Sequence, residues 1–116
     1  MYIKIYSKDN CPFCDKAVFE TMRFGGFLRD NIEPEVNPYP GFDYSIFKLG
    51  EDFDMKDLVQ IFPTARTFPQ IVIENAAGQN ESESIGGYDD LVHYLSQMKE
   101  QLLQTNETFL KQYKNQ

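Results

Sequence analysis

The stretch that decides the fold is residues 2–22, which read YIKIYSKDNCPFCDKAVFETM. Its first five residues are β-branched or aromatic apart from one lysine, which predicts a short β-strand, and the polar residues 7–10 predict a loop after it. Pro12 suits the first turn of a helix, where a missing backbone N–H costs nothing. Because apolar residues then recur at helical spacing from Ala17 to Met22, the first helix is predicted to begin at the cysteine pair.

Cys11 and Cys14 are the only cysteines of the chain, and their spacing allows a local disulfide that can open and close without moving the rest of the fold. Cys11 should lie at the N-terminus of the helix, where free N–H groups and the macrodipole favour an anion. In such settings the pKa of a thiol falls from about 8.5 to roughly 3.5 to 7.5, and Lys8 adds to the effect. Cys11 is therefore predicted to be the nucleophile and Cys14 the resolving thiol.

Two other interpretations of the cysteine pair were weighed. A C-x-x-C pair also supplies half of a zinc site, but the chain has no further cysteine and only one histidine, His93, to complete it. A pair of inert buried cysteines fits poorly with the polar loop that precedes them. We therefore expect a redox pair and no metal.

The rest of the chain alternates strand and helix patterns. The predictions, in order, are an irregular loop inserted at 30–43, a strand at 46–49, a short helix capped by Asp54 and closed by Pro63, a strand at 70–74, a turn at 75–82, a return strand at 83–85, and a long helix after Gly86-Gly87 that reaches Tyr113. This order joins a parallel βαβ half to an antiparallel half. It predicts an α/β fold with a four-stranded mixed sheet flanked by helices.

Length and charge exclude several classes of protein. A chain of 116 residues with 41% apolar residues predicts a single domain, 1–116, whose last residues from about 102 extend the final helix. The net charge of −7 argues against a nucleic-acid partner, since phosphate binding needs clustered cations. No apolar run approaches the length of a membrane span, and the N-terminus lacks a signal-peptide pattern. We expect a soluble, cytoplasmic monomer.

Three stretches resemble the glutaredoxin family: KDNCPFC at 8–14, RTFPQI at 66–71 and IGGYDDL at 85–91. The family usually has Tyr in place of Phe13 and Val in place of Phe68, and both changes keep an apolar contact surface. Thioredoxins are similar in fold but carry a Trp before the Gly-Pro between their cysteines, and this chain has no Trp. The resemblance implies a thioredoxin-like fold and a glutathione-dependent thiol-disulfide oxidoreductase.

The resemblance also implies how glutathione would bind. The Phe68-Pro69 bond would be cis, which leaves the backbone of Phe68 free to pair with the cysteine of glutathione, whereas the motif alone would suit a trans proline at a strand edge. The start of the last helix would hold the γ-glutamyl carboxylate, and Asp89 or Asp90 would pair with the adjacent ammonium, although an Asp there is also an ordinary helix cap. Lys8 and Arg66 would face the glycine carboxylate of glutathione, although each could equally be a solvated surface charge. The implied residues are Lys8, Phe13, Arg66, Thr67, Phe68, Pro69, Gly87, Tyr88, Asp89 and Asp90.

Partner and rival functions follow from the same resemblance. The substrates would be protein disulfides and glutathionylated proteins. The long insert and small size are similar to bacteriophage glutaredoxins, which serve as electron donors for ribonucleotide reductase. One rival function is an iron-sulfur cluster held by Cys11 and glutathione, which is less favoured because cluster-binding relatives usually carry a single cysteine followed by Gly-Phe-Ser. The other is a thioredoxin-like donor reduced by a flavin reductase.

Overall fold

The protein alternates strands and helices along its chain. The structure is a computed structural model that describes residues 1–65, 67–76 and 81–114. The elements are β1 (Tyr2–Ser7), α1 (Pro12–Asn31), β2 (Asp43–Lys48), α2 (Met55–Ile61), β3 (Gln70–Glu74), β4 (Ser82–Gly86) and α3 (Tyr88–Lys114). This is the predicted order of elements.

The four strands form one mixed sheet in the order β2-β1-β3-β4. β1 and β2 are parallel, whereas the pairs β1–β3 and β3–β4 are antiparallel, so the predicted join of a parallel and an antiparallel half is confirmed. Successive side chains of a strand point to opposite faces. Ile3 and Ile5 accordingly enter the core under α1 and α3, while Tyr6 joins a second cluster on the α2 side.

The helices are held by local caps and by the core. The side chain and backbone of Asp54 exchange hydrogen bonds with those of Asp57 at 2.9 and 3.0 Å, so the predicted cap of α2 is a complete capping box. Phe24 of α1 is fully buried, and its ring meets Phe42 edge-on with the centroids 5.3 Å apart. The core thereby ties α1 to the chain segment that enters β2.

α1 runs through Gly25-Gly26 to Asn31, and Gly25 allows close packing there, since an added Cβ would stand only 3.2 Å from the Phe42 ring. Two predicted boundaries differ from the structure. β2 begins at Asp43 rather than at position 46, because its pairing with β1 starts at Tyr2. The irregular segment is therefore 32–42, shorter than predicted.

Side chains anchor this irregular segment to the rest of the fold. The Tyr39 hydroxyl donates a hydrogen bond to the Ala76 carbonyl at 2.7 Å. At the other end, the buried Asn106 of α3 accepts a bond from the Glu33 N–H at 2.8 Å and donates one to the Asn31 carbonyl at 3.3 Å. The amide of Asn106 thus satisfies backbone groups left open where α1 ends.

We expect the stability of the protein to fall as the pH rises from 10 to 12. Burial first, and then the charges of Tyr39 and Glu83, raise the pKa of Tyr94 to about 12, whereas a tyrosine in the unfolded chain ionises near pH ~10. The folded state therefore holds this proton more tightly, and its stabilisation is fully present below about pH 10 and is lost as the pH rises toward the folded pKa. Urea unfolding midpoints measured at pH 9, 10 and 11 should show the decline.

Tyr94→Phe should make this alkaline decline shallower, because the variant has no proton to lose at that position. The slope should not vanish, since burial also raises the pKa of Tyr39. Tyr113→Phe is the matched control, because the Tyr113 side chain is 68% exposed. A Tyr94→Phe protein with the unchanged parental slope would contradict the assignment.

Candidate active site

The cysteine pair opens α1. Cys11 is the N-cap of this helix, and its sulfur accepts a hydrogen bond from the Cys14 N–H at 3.2 Å. The two cysteines form a disulfide, with their Cα atoms 5.2 Å apart. Cys11 is 8% exposed and Cys14 only 2%. The sulfur of Cys11 is thus at the positive end of the helix and is the more accessible of the two, as the sequence predicted.

The segment before β3 lies beside the loop that leads to the cysteines. The Nζ of Lys8 lies 5.6 Å from the centroid of the Phe68 ring, which also stacks on Phe53 at 6.3 Å. The Phe68-Pro69 peptide bond is cis, so this expectation is confirmed. Lys8 and Phe68, far apart in sequence, therefore meet at the site.

The turn between β4 and α3 is the third segment of the site, after the cysteine loop and the cis-proline segment. The Phe13 ring, 54% exposed, lies 5.8 Å from that of Tyr88, and the Nζ of Lys16 lies 5.1 Å from the Phe13 centroid. An added Cβ at Gly87 would stand 3.5 Å from the carbonyl oxygen of Pro69. The turn thus contacts both the cysteine loop and the cis-proline segment.

The first turn of α3 is capped from within. The Asp90 carboxylate accepts a hydrogen bond from the Gly87 N–H at 3.0 Å, and the Gly87 carbonyl accepts one from Leu91 at 3.0 Å. Asp90 is therefore a helix cap, one of the two roles considered for it, while Asp89 is exposed. A role of either carboxylate in binding an ammonium group stays a prediction.

Comparison with known proteins bears on the fold. No protein-family model matches the sequence, and no curated protein shows significant similarity to it. The oxidized glutaredoxin of Escherichia coli superposes with a TM-score of 0.57 at 24% identity, over 82% of this chain and 93% of that one. The reduced form of that protein gives a TM-score of 0.55 at 23% identity, over 84% of this chain and 95% of that one. This chain has the glutaredoxin fold. The predicted thioredoxin-like class, a mixed four-stranded sheet with three helices, is thereby confirmed.

A cleft of about 620 Å³ runs between the α2–β3 connection and the β4–α3 turn of this glutaredoxin fold. Two predicted binding residues, Thr67 and Gly87, line it together with the capping Asp90. Gln70 lines it as well and was not predicted as a site residue. The signal that could have found it is a polar side chain at the head of the otherwise apolar strand QIVI.

A second unpredicted residue, Lys48, is tied to the cysteine loop. Its Nζ lies 2.6 Å from the Asp9 carboxylate and 3.5 Å from that of Glu51. The hydrogen bond to Asp9 is the largest of the effects that raise the pKa of Lys48. Because Lys48 is at the end of β2, the ion pair connects this strand to the loop before Cys11, and no pattern in the sequence indicates it.

The remaining predicted features concern charge, metal and membrane. Arg66, predicted to face a carboxylate, falls outside the described residues. In residues 1–65, 67–76 and 81–114, no group of three or more His, Cys, Asp or Glu side chains is arranged to hold a metal ion. Among the helices of that part of the chain, none combines the length and the apolar character that crossing a bilayer requires.

The site can support disulfide exchange on geometric grounds. A sulfur at a helix N-terminus is favoured as an anion, and a second sulfur within bonding distance can displace whatever the first has captured. Phe13 stands between the two cysteines in the chain and its ring contacts that of Tyr88. Lys8 lies over the ring of Phe68 and Lys16 over that of Phe13. The loop and helix turn that carry the cysteines thus combine aromatic rings and cations with two acidic residues, Asp9 and Asp15.

Proposed function

We propose that this protein is a glutathione-dependent thiol-disulfide oxidoreductase that works by a dithiol mechanism. The observation that carries the proposal is the Cys11–Cys14 disulfide at the start of α1, with Cys11 as N-cap and the more exposed partner. The glutaredoxin fold is consistent with it. A fold alone does not determine function, so the proposal is argued from the cysteine site that this fold carries.

The reaction has two halves that return the protein to its starting state. The Cys11 thiolate attacks a substrate disulfide, forms a mixed disulfide and releases the first substrate thiolate, which takes up a proton. Cys14 then loses its proton and attacks the Cys11 sulfur, which releases the second substrate thiol and closes the Cys11–Cys14 disulfide. The substrate gains two electrons and the protein loses two.

Two glutathione molecules would reverse that oxidation. The first thiolate attacks the sulfur of Cys11 and frees Cys14 as a thiol. The second attacks the glutathione sulfur of the mixed disulfide, so that glutathione disulfide leaves and Cys11 returns to the thiolate. A glutathionylated protein enters the same path directly, because attack of Cys11 on its mixed disulfide leaves glutathione on Cys11.

The cysteine loop, the cis-proline segment and the turn between β4 and α3 support an assignment of the parts of glutathione. The backbone of Phe68 would pair with its cysteine, and the free N–H groups at the start of α3, near Tyr88 and Asp89, would receive its γ-glutamyl carboxylate. Lys8 would face the glycine carboxylate as a charge partner, and Arg66 stays the second predicted partner. Phe13 and Thr67 would border the ligand.

We propose that the partners are disulfide-containing and glutathionylated proteins in the cytoplasm, ribonucleotide reductase among them, and that the protein acts as a monomer. The position of Cys11 at the start of α1, with the higher exposure of the two cysteines, supports attack on a disulfide of another protein. Size-exclusion chromatography coupled to light scattering would test the monomer.

The choice of reductant tests the proposal. The oxidised protein is supplied with either glutathione and glutathione reductase or thioredoxin reductase, with NADPH in both cases and a glutathionylated peptide as substrate. We expect NADPH consumption with the glutathione system and none above background with thioredoxin reductase. Turnover with thioredoxin reductase alone would instead identify a thioredoxin-like donor and overturn the proposal.

A further inference from the structure

The side chain of Gln70 reaches back to the backbone of the cis-proline segment. Its Nε2 donates a hydrogen bond to the Thr67 carbonyl oxygen at 2.8 Å, so the bond spans Phe68 and Pro69. Gln70 is only 8% exposed. A buried amide that lacks partners is costly, and here its partner is a backbone group of the proposed binding site.

Gln70 itself is held in place by the sheet. It is the first residue of β3 and pairs with Tyr6 of β1, which lies in the middle of the four strands. By the alternation of a strand, its side chain is on the face of Val72, where the second cluster packs. The backbone of Gln70 is therefore held by the sheet, and the hydrogen bond from its side chain holds the Thr67 carbonyl in turn.

The ring of the neighbouring Phe68 has contacts of its own. That ring stacks on Phe53 and lies under Lys8, and both of these contacts act on the side chain rather than on the Thr67-Phe68 peptide. The bond from Gln70 acts on the backbone instead, because the Thr67 carbonyl belongs to the same peptide plane as the Phe68 N–H. The Phe68 N–H thus points in one direction before any ligand arrives.

We infer that Gln70 is a positioning residue for glutathione, one that fixes the Thr67-Phe68 peptide plane so that the backbone of Phe68 is aligned for the ligand. The inference rests on the proposed function, in which Phe68 pairs with the cysteine of glutathione. Ordering this peptide in advance lowers the entropy that binding would otherwise cost. Gln70 touches neither the reacting sulfurs nor, by this account, the ligand itself.

The test is Gln70→Met, which keeps the length of the side chain and removes the donor. We expect the KM for glutathione to rise about fivefold, because binding must then order the Thr67-Phe68 peptide that the lost hydrogen bond had held. The kcat should stay within twofold of the parent. The rate at which iodoacetamide alkylates Cys11 in the reduced protein should keep its parental pH profile. Gln70→Asn, whose shorter amide cannot span to Thr67, should give the same rise and serves if the methionine variant does not fold.

Asn106→Leu is the matched control. Asn106 is also 8% exposed, and its amide also donates to a backbone carbonyl, that of Asn31. This variant should unfold at a lower temperature than the parent and keep the parental KM. A Gln70→Met and Gln70→Asn pair with parental KM values, or an equal rise in Asn106→Leu, would overturn the inference alone. A parent protein without glutathione-dependent turnover would instead overturn the proposed function.

Discussion

Cys11→Ser is expected to reduce glutathione-dependent disulfide reduction by about a thousandfold or more, to the level of the uncatalysed exchange. A serine hydroxyl at the N-cap still accepts a hydrogen bond, so the start of α1 should remain intact. It does not ionise near neutral pH and cannot form a disulfide, so every step that passes through this sulfur is lost. Steady-state rates with a glutathionylated peptide, alongside circular dichroism of the variant, measure the effect.

Cys14→Ser provides the contrast within the same pair. It should retain reduction of glutathione mixed disulfides, because that path needs only Cys11 and free glutathione. It should be strongly impaired with a protein disulfide, where a second sulfur must resolve the mixed disulfide. Retention of reductase activity in Cys11→Ser, or equal loss of both activities in Cys14→Ser, would show that the roles of the two sulfurs are misassigned.

Gly86→Ala is expected to lower the free energy of unfolding by about 3 kcal/mol, from backbone strain together with loss of a helix cap. Gly86 has a φ of +104°, a conformation that residues with a Cβ rarely adopt. The added methyl group would also collide with the Asp90 carboxylate, which caps α3 through the Gly87 N–H. Urea unfolding at neutral pH gives the change in stability.

Two other glycines separate the causes of that loss. Gly50 has a φ of +91° but no atom within 4 Å of an added Cβ, so Gly50→Ala should show the cost of the backbone conformation alone. Gly41 has open space and an ordinary φ, so Gly41→Ala should change stability by less than about 0.5 kcal/mol. If Gly86→Ala lost no more stability than Gly50→Ala, the contact with Asp90 would carry no weight.

Local signals in the sequence were sufficient for several elements. The strand predicted at 70–74 has the observed bounds of β3, because three consecutive β-branched residues and a flanking turn leave few alternatives. Asp54 was predicted as the cap of α2 because its side chain can reach the N–H three residues on, and that bond is present. In both cases the deciding interactions lie within a few residues of one another.

Where distant partners decide, the same reasoning was wrong or silent. The strand predicted from position 46 begins at Asp43, because its pairing with β1 starts at Tyr2. Gln70 reads as an ordinary first residue of a strand, and Lys48 as a solvated charge. Their bonds to Thr67 and to Asp9 become visible only when the strands are assembled.

The sequence by itself determined that a pair of sulfurs begins a helix and that the first of them lies at its N-terminus. The reason is that Pro12, the polar loop before it and the helical spacing after it act over one turn of backbone. Only the tertiary structure decided what surrounds those sulfurs. Lys8 meets Phe68, and Phe13 meets Tyr88, because a sheet with β1 between β2 and β3 brings the ends of distant segments to one edge, and burial of the core sets that arrangement.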